Sequence, residues 1–221
     1  MAKYMIHAVP KRMWYVNEFL IPSMLEQGIN DDDIRVHVDE KQEGNLRSCM
    51  HAFQEVDDRE KTTWHLQDDV IISHDFAERT KEYCGSIMCG FKSMYDGNLP
   101  AGHVPIKSMW FSFLCIRIPN RVAKECADWV LRYIIGNPIY KDWWEGGVND
   151  DMLFRKYVFQ TYPDEFAYNL SPNLVDHVDY LIGGTVNSSK RIVQIRSKLW
   201  EDEYLVKELE RKLKTRNGIR L

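Results

Sequence analysis

The opening of the chain switches twice between two hydrophobic periods, and that switching restricts what it can fold into. "YMIHAVP" is a short apolar run closed by Pro10, and "RMWYVNEFLIPSMLEQG" then sets Val16, Phe19, Leu20 and Met24 at helical intervals before a stop at Gly28. Pro22 predicts a kink or a split in that helix, because proline brings no donor and crowds the preceding turn. "DIRVHVDEK" alternates Ile34, Val36 and Val38 with polar neighbours, and "EGNLRSCMHAFQEV" returns to helical spacing through Leu46, Cys49 or Met50, and Phe53. Strand, helix, strand, helix predicts an α/β fold with a mostly parallel sheet flanked by helices.

The remainder extends the pattern. "TTWHLQDDVII" reads as a third strand, "FAERTKEYCGSIM" as the helix after it, and residues 92–107, rich in glycine and proline, as loop. "MWFSFLCIRIP" is a continuous apolar run, the mark of a strand buried on both faces. "NRVAKECADWVLRYIIG" predicts a helix on Val122, Cys126, Val130 and Ile134, capped by Asn120 and stopped at Gly136. A further helix starts near Asn149, and "SPNLVDHVDYLIGG" is irregular or strand. The last stretch, with Leu199, Val206, Leu209 and Leu213 on one side, is an amphipathic helix. The expected organisation is one domain over residues 1–197 and a C-terminal helix over 198–221, packed on it.

A chain of 221 residues with this apolar content can build one substantial core. Its five cysteines are odd in number, and Cys115 and Cys126 sit among apolar residues, so a disulfide framework is not expected. Zinc would need Cys84 and Cys89 to meet His103 and Cys115 by coincidence, and core thiols are the simpler reading. The N-terminus lacks a signal-peptide pattern and no apolar run is long enough to span a membrane, so the expected location is cytoplasmic. The net charge of −4 is uneven: from Lys190 onward ten Lys or Arg face five acids, leaving +5 there and −9 elsewhere. That tail suits a solvated helix face or a polyanion contact.

Most catalytic signatures are absent: no GxGxxG follows the first strand, and there is no HExxH or GxSxG. "GGTVNSSKR" has Ser189 where a phosphate loop needs its second glycine. What remains is Asp68–Asp69, two carboxylates set in an apolar run at the end of a strand. Ligands of open α/β sheets bind at such strand ends, and paired carboxylates form a hard oxygen site for Mg²⁺ or Mn²⁺ on a nucleotide phosphate. Capping a turn in water is the plainer alternative.

"WHLQDDVI" resembles the DxD-type segment of nucleotide-sugar-dependent glycosyltransferases of the GT-A fold, a Rossmann-related α/β architecture. The resemblance implies Asp69 as direct metal ligand and Asp68 in the central place, with Gln67 standing where the motif has its first aspartate. "IHAVPKR", "IRVHVDEK" and "EGNLRSCMHAF" are similar to the donor-binding half of such enzymes, which implies Pro10, Lys11, Arg12, Asp39, Asn45 and Arg47 on the nucleotide side. "SPNLVDHVDYLIGG" resembles a late segment whose histidine completes the metal site, implying His177. "GGVNDDMLF" corresponds in order to the acceptor-side helix, implying Asp151 or Asp150 as the carboxylate that takes the acceptor's proton, although acids after an Asn149 cap also suit a helix start. Trp143 and Trp144 can supply an apolar platform or core.

The resemblance therefore implies a Mn²⁺- or Mg²⁺-dependent glycosyltransferase that takes a nucleotide-sugar donor, a UDP-sugar first among them. Its acceptor hydroxyl is open between a hydroxymethylated base in phage DNA, which the basic tail would track, and a bacterial surface glycan. The alternatives are a nucleotidyltransferase of related fold, for which "AVPKR" lacks the glycine-rich loop, and a noncatalytic nucleic-acid-binding protein.

Overall fold

Branched and aromatic residues lay down the parallel half of a central sheet: β1 (Tyr4–Ala8), β2 (Ile34–Val38) and β3 (Thr62–Gln67). β1 lies between the other two and runs parallel to both. The computed structural model describes residues 3–81, 87–91, 101–109, 111–141, 150–183 and 202–216. Cys84, Trp143, Trp144, Asn149 and Ser189 lie outside them, as does the chain between residues 184 and 201.

Four further strands complete the sheet: β5 (Met88–Cys89), β6 (Gly102–Pro105), β7 (Cys115–Pro119) and β8 (Phe166–Asn169). The strand order is β2-β1-β3-β7-β5-β8-β6. β7 runs antiparallel to β3 and β5, β5 and β8 are parallel, and β6 is antiparallel to β8. Five strands thus point one way and β6 and β7 the other, so the sheet is mixed. The continuous apolar run does become a strand buried on both faces, yet it opposes its neighbours, since burial does not determine direction. Residues 102–105 form an edge strand within the expected loop; an edge tolerates Gly102 and Pro105 because half of its backbone needs no partner.

A second, two-stranded antiparallel sheet joins β4 (Val70–Ile72) to β9 (Val175–His177), pairing Val70 with His177. The expected single third strand is therefore broken at Asp68–Asp69, where the chain turns from one sheet to the other.

The helices lie on both faces. α1 (residues 13–26) contains a widened π turn at Val16–Leu20, immediately before Ile21–Glu26, whose second residue is Pro22. The Ile21 N–H reaches Val16 O, so the proline splits the hydrogen-bond ladder without ending the helix. Gly28, at φ +83°, closes it as expected. α2 (Asn45–Gln54) follows β2, and α3 (Phe76–Arg79) is shorter than its sequence suggests. α4 (Asn120–Trp129) continues through a π turn, Val130–Ile134. Asn120 does not cap it; its side chain donates to Asp57 O at 2.8 Å and Glu60 O at 3.1 Å, pinning the turn before β3. α5 (Asp150–Thr161), α6 (Asp179–Ile182) and α7 (Glu203–Arg216) complete the set.

One face of the sheet buries Phe53, Ile116, Val122, Cys126 and Phe154 among α2, α4 and α5. The other joins Ile6, Trp64, Leu66, Leu20 and Met24 to Leu209 and Leu213 of α7. α7 is held further by Arg216, which lies 4.1 Å from the Trp14 ring centroid and bonds Glu18 at 2.9 Å. No described helix is long and apolar enough to cross a membrane.

Leu209→Ala removes a buried side chain and should cost about 2–5 kcal/mol, seen as a melting temperature lower by roughly 5–15 °C for a domain of this size. An unchanged melting temperature would mean that α7 adds nothing to the core.

Candidate functional site

The chain leaves β1 toward β2 on one side and later forms β3 on the other, so the strand order reverses between β1 and β3. Such a switch point opens a crevice beyond the carboxyl ends of the strands. Residues 9–12 leave β1 there and Asp68–Asp69 leave β3. The Asp68 N–H bonds His7 O at 3.0 Å and the Val9 N–H donates to Asp68 Oδ2 at 2.8 Å, so the two strand exits are tied together.

Arg12, buried after one 3₁₀ turn (Pro10–Arg12), sits across both acids. Its Nη2 lies 2.6 Å from Asp68 Oδ1 and its Nη1 2.5 Å from Asp69 Oδ2. The guanidinium is thus the counter-charge that two aspartates in apolar surroundings require. β4–β9 pairing adds the fourth member. Val178 N–H donates to Asp69 O at 2.8 Å, and His177 Nε2 lies 3.2 Å from Asp69 Oδ2. Asp179, whose Oδ1 is 3.6 Å from His177 Nδ1, backs the ring.

Protonation follows from these contacts. Burial lifts the Asp68 carboxyl; Arg12 pulls it down and the Asp69 charge lifts it again, and the net is upward. Asp69 is also buried, but His177 and Arg12 together hold it below the usual carboxylate range. Burial works against a charged His177, and Asp69 overrides it with a hydrogen bond and its charge, moving the imidazole upward. Arg12 stays charged because the two aspartates outweigh its burial.

Asp39, Asn45 and Asp150 form a second group beside the first. The Asp39 carboxylate accepts the Glu43 N–H at 2.9 Å and the Gly44 N–H at 3.2 Å, shaping the turn into α2. Gly44 takes φ +88°, and α2 starts directly after it. Asn45 Nδ2 donates to Asp150 Oδ1 at 2.9 Å, linking α2 to the start of α5. Cys49, one turn along α2, also bonds Asp150. Burial first, and then the neighbouring Asp151, push the Asp150 carboxyl up to about 7. Asp151 is half-buried, and its carboxylate accepts the Met152 N–H at 2.7 Å. Pro10 and Lys11 are exposed, while Gln67 and Arg47 are half-buried.

The structure therefore brings Arg12, Asp68, Asp69 and His177 into one cluster and Asn45 and Asp150 into another. Sequence reasoning missed Asp179, Cys49 and the service of Arg12 to the aspartates. Cys49 stands four residues after Asn45, the spacing that puts both on one helix face, which was the available signal. Asp179 stands two residues after His177, with no comparable rule behind it.

Could a divalent ion sit here? Among the described residues no three His, Cys, Asp or Glu side chains converge as a ready ligand set. Asp69 Oδ1 is nonetheless buried without a partner, and Asp69 Oδ2 and His177 Nε2 lie at a separation that two ligands of one ion can share. Asp69 and His177 fit a metal, with Arg12 as its competitor.

The pH dependence of folding follows from the same groups. Asp150, ordinary near about 4 when unfolded and near 7 when folded, adds stability that is complete below its unfolded value and lost as pH rises through the folded one. His177, also raised, loses its contribution in the same direction; Asp69, lowered, loses its own only as pH falls below the carboxylate range. His7 and His65, kept neutral by burial, oppose this below the ordinary histidine value, so the melting temperature should fall above about pH 6.5, and Asp150→Asn should flatten part of that slope; parallel profiles would show that Asp150 does not titrate there.

No protein-family model matches the chain and no curated protein is found to be similar to it, so its functional reading rests on the geometry of these two clusters.

Proposed function

We propose that this protein is a glycosyltransferase of the GT-A type, moving a sugar from a nucleotide-sugar donor to an acceptor hydroxyl with the help of Mn²⁺ or Mg²⁺. One observation carries the reading: a pair of buried Asp69 and half-buried His177, assembled where two sheets meet, joins Arg12 at the switch point where an α/β sheet takes its ligand. When bound, the metal neutralises the diphosphate as it departs.

The protein's own groups divide the remaining work. Asp69 and His177 hold the ion, and Asp68 fixes the strand exit through Val9. Pro10 and Lys11, exposed past the end of β1, meet the nucleotide, and Asp39 with Arg47 and Gln67 lines its base and ribose side. Asn45 and Asp150 lock α2 against α5, so the donor and acceptor sides keep a constant separation. Asp151, the more accessible acid, accepts the acceptor's proton. A UDP-sugar is the first donor to test.

The acceptor is a hydroxymethylated DNA base or a surface glycan. α7 exposes Lys207, Arg211 and Lys214 at helical spacing, which suits a polyanion. Arg216 is already committed to Glu18 and Trp14, and Glu208 pairs with Lys212 at 3.3 Å and with Arg211 at 4.0 Å, so the charge available to a polyanion is smaller than the tail's composition suggests.

Nucleotide-sugars offered with Mn²⁺ should raise the melting temperature and release nucleoside diphosphate slowly; a full panel without either effect removes the proposal. Asp69→Asn and His177→Ala should each weaken Mn²⁺-dependent binding of the donor at least tenfold, and unchanged binding in both takes them out of the site. Asp151→Asn should keep donor binding and lose transfer. Retained transfer would move the proton acceptor elsewhere.

A further inference from the structure

Arg12 stands where the proposed ion needs room. Of the four carboxylate oxygens of Asp68 and Asp69, three are engaged: Asp68 Oδ1 and Asp69 Oδ2 by the guanidinium, and Asp68 Oδ2 by the Val9 N–H. Only Asp69 Oδ1 is buried without a partner. The two negative charges are already partly balanced by one positive charge at hydrogen-bond distance. A divalent ion bound to Asp69 Oδ2 beside that guanidinium would set two cations against one carboxylate oxygen in a buried place, where their mutual repulsion is little screened.

The guanidinium is itself incompletely served. Its Nε is buried with no acceptor, so this arrangement does not use all of its donors. Arginine's planar fork matches the paired oxygens of a phosphate as well as those of a carboxylate. Arg12 also directly follows exposed Pro10 and Lys11, just past the carboxyl end of β1, the side from which an anion would arrive. We propose that Arg12 is a resident counter-ion that keeps a divalent cation off Asp69 and His177 until a diphosphate draws the guanidinium away, so that metal and diphosphate bind as a coupled pair. The identity of the second ligand rests on the glycosyltransferase reading; the exclusion of the metal does not.

Coupling of this kind is reciprocal: each ligand tightens the other by the same factor. It also gives the site selectivity, because neither free metal nor free phosphate alone meets its full partner set. With Arg12 removed, the first half of the coupling disappears and the metal should bind by itself.

Mn²⁺ binding followed by the loss of its free paramagnetic resonance signal tests this. In the wild-type protein Mn²⁺ alone should bind weakly. Inorganic pyrophosphate or UDP should tighten it at least tenfold, after correction for the Mn²⁺ that each ligand holds in solution. Arg12→Met should bind Mn²⁺ alone at least tenfold more tightly than wild type and show little further gain with pyrophosphate. Arg12→Lys, which keeps the charge, should stay weak. Equal Mn²⁺ affinity in wild type and Arg12→Met overturns the proposal, as does wild-type binding that pyrophosphate leaves unchanged. The wild-type titration decides the matter if Arg12→Met does not fold. Coupling to pyrophosphate with no response to any nucleotide or nucleotide-sugar upholds the role of Arg12 and removes the glycosyltransferase reading.

Discussion

Arg12 lies between two buried carboxylates, and four segments meet through it. Asp68 ties the exit of β3 to the exit of β1 through Val9, and Asp69 ties the same turn to β9 through Val178 and His177. Tyr15, one helical turn after Arg12, donates its hydroxyl to Val70 O at 2.9 Å and fixes the start of β4 under α1. Removing one member of such a buried set leaves an unpaired charge, at a cost of about 3–5 kcal/mol. Arg12 therefore helps to hold the turn at residues 68–69, where the chain passes from the central sheet to the small one.

The organisation around that turn was partly legible in the sequence. A short apolar run identified β1, which is buried almost throughout, and hydrophobic period identified α1, β2 and α2. Gly28 and Gly136 marked helix ends because both need positive φ. Strand direction was not legible. β7 is buried on both faces whichever way it runs, so "FLCIRIP" carries no sign of its antiparallel pairing. Edge strand β6 escaped for a related reason: glycine and proline mark loops in general, and only tertiary context places them at an edge.

The candidate site shows the same division between local and long-range information. Asp68 and Asp69 stood out because charge in an apolar run needs an explanation, and His177 followed only through a resemblance. That Arg12 answers both aspartates depends on a contact 57 residues apart in sequence, which no local rule contains. Asn45 stands out as a nucleotide-side candidate, but that its amide holds Asp150 across 105 residues is not written in the local sequence. Residue types were readable at these positions, whereas their partners were determined by the fold.

The buried Arg12–Asp68–Asp69 set bears on function through its energetics. Apolar residues of similar volume replacing a buried charged triad often leave stability unchanged or raise it. Stability alone therefore gives no reason to assemble two acids, a guanidinium and an imidazole where the two sheets meet. A structural role would be served by any well-packed group, and a buried oxygen or guanidinium nitrogen without a partner calls for an explanation. Asp69 Oδ1 and Arg12 Nε are both in that condition. Unpaired atoms also remain on Arg79 and Asn120, so what sets Asp69 and Arg12 apart is that theirs meet a second acid and an imidazole at the switch point of the sheet.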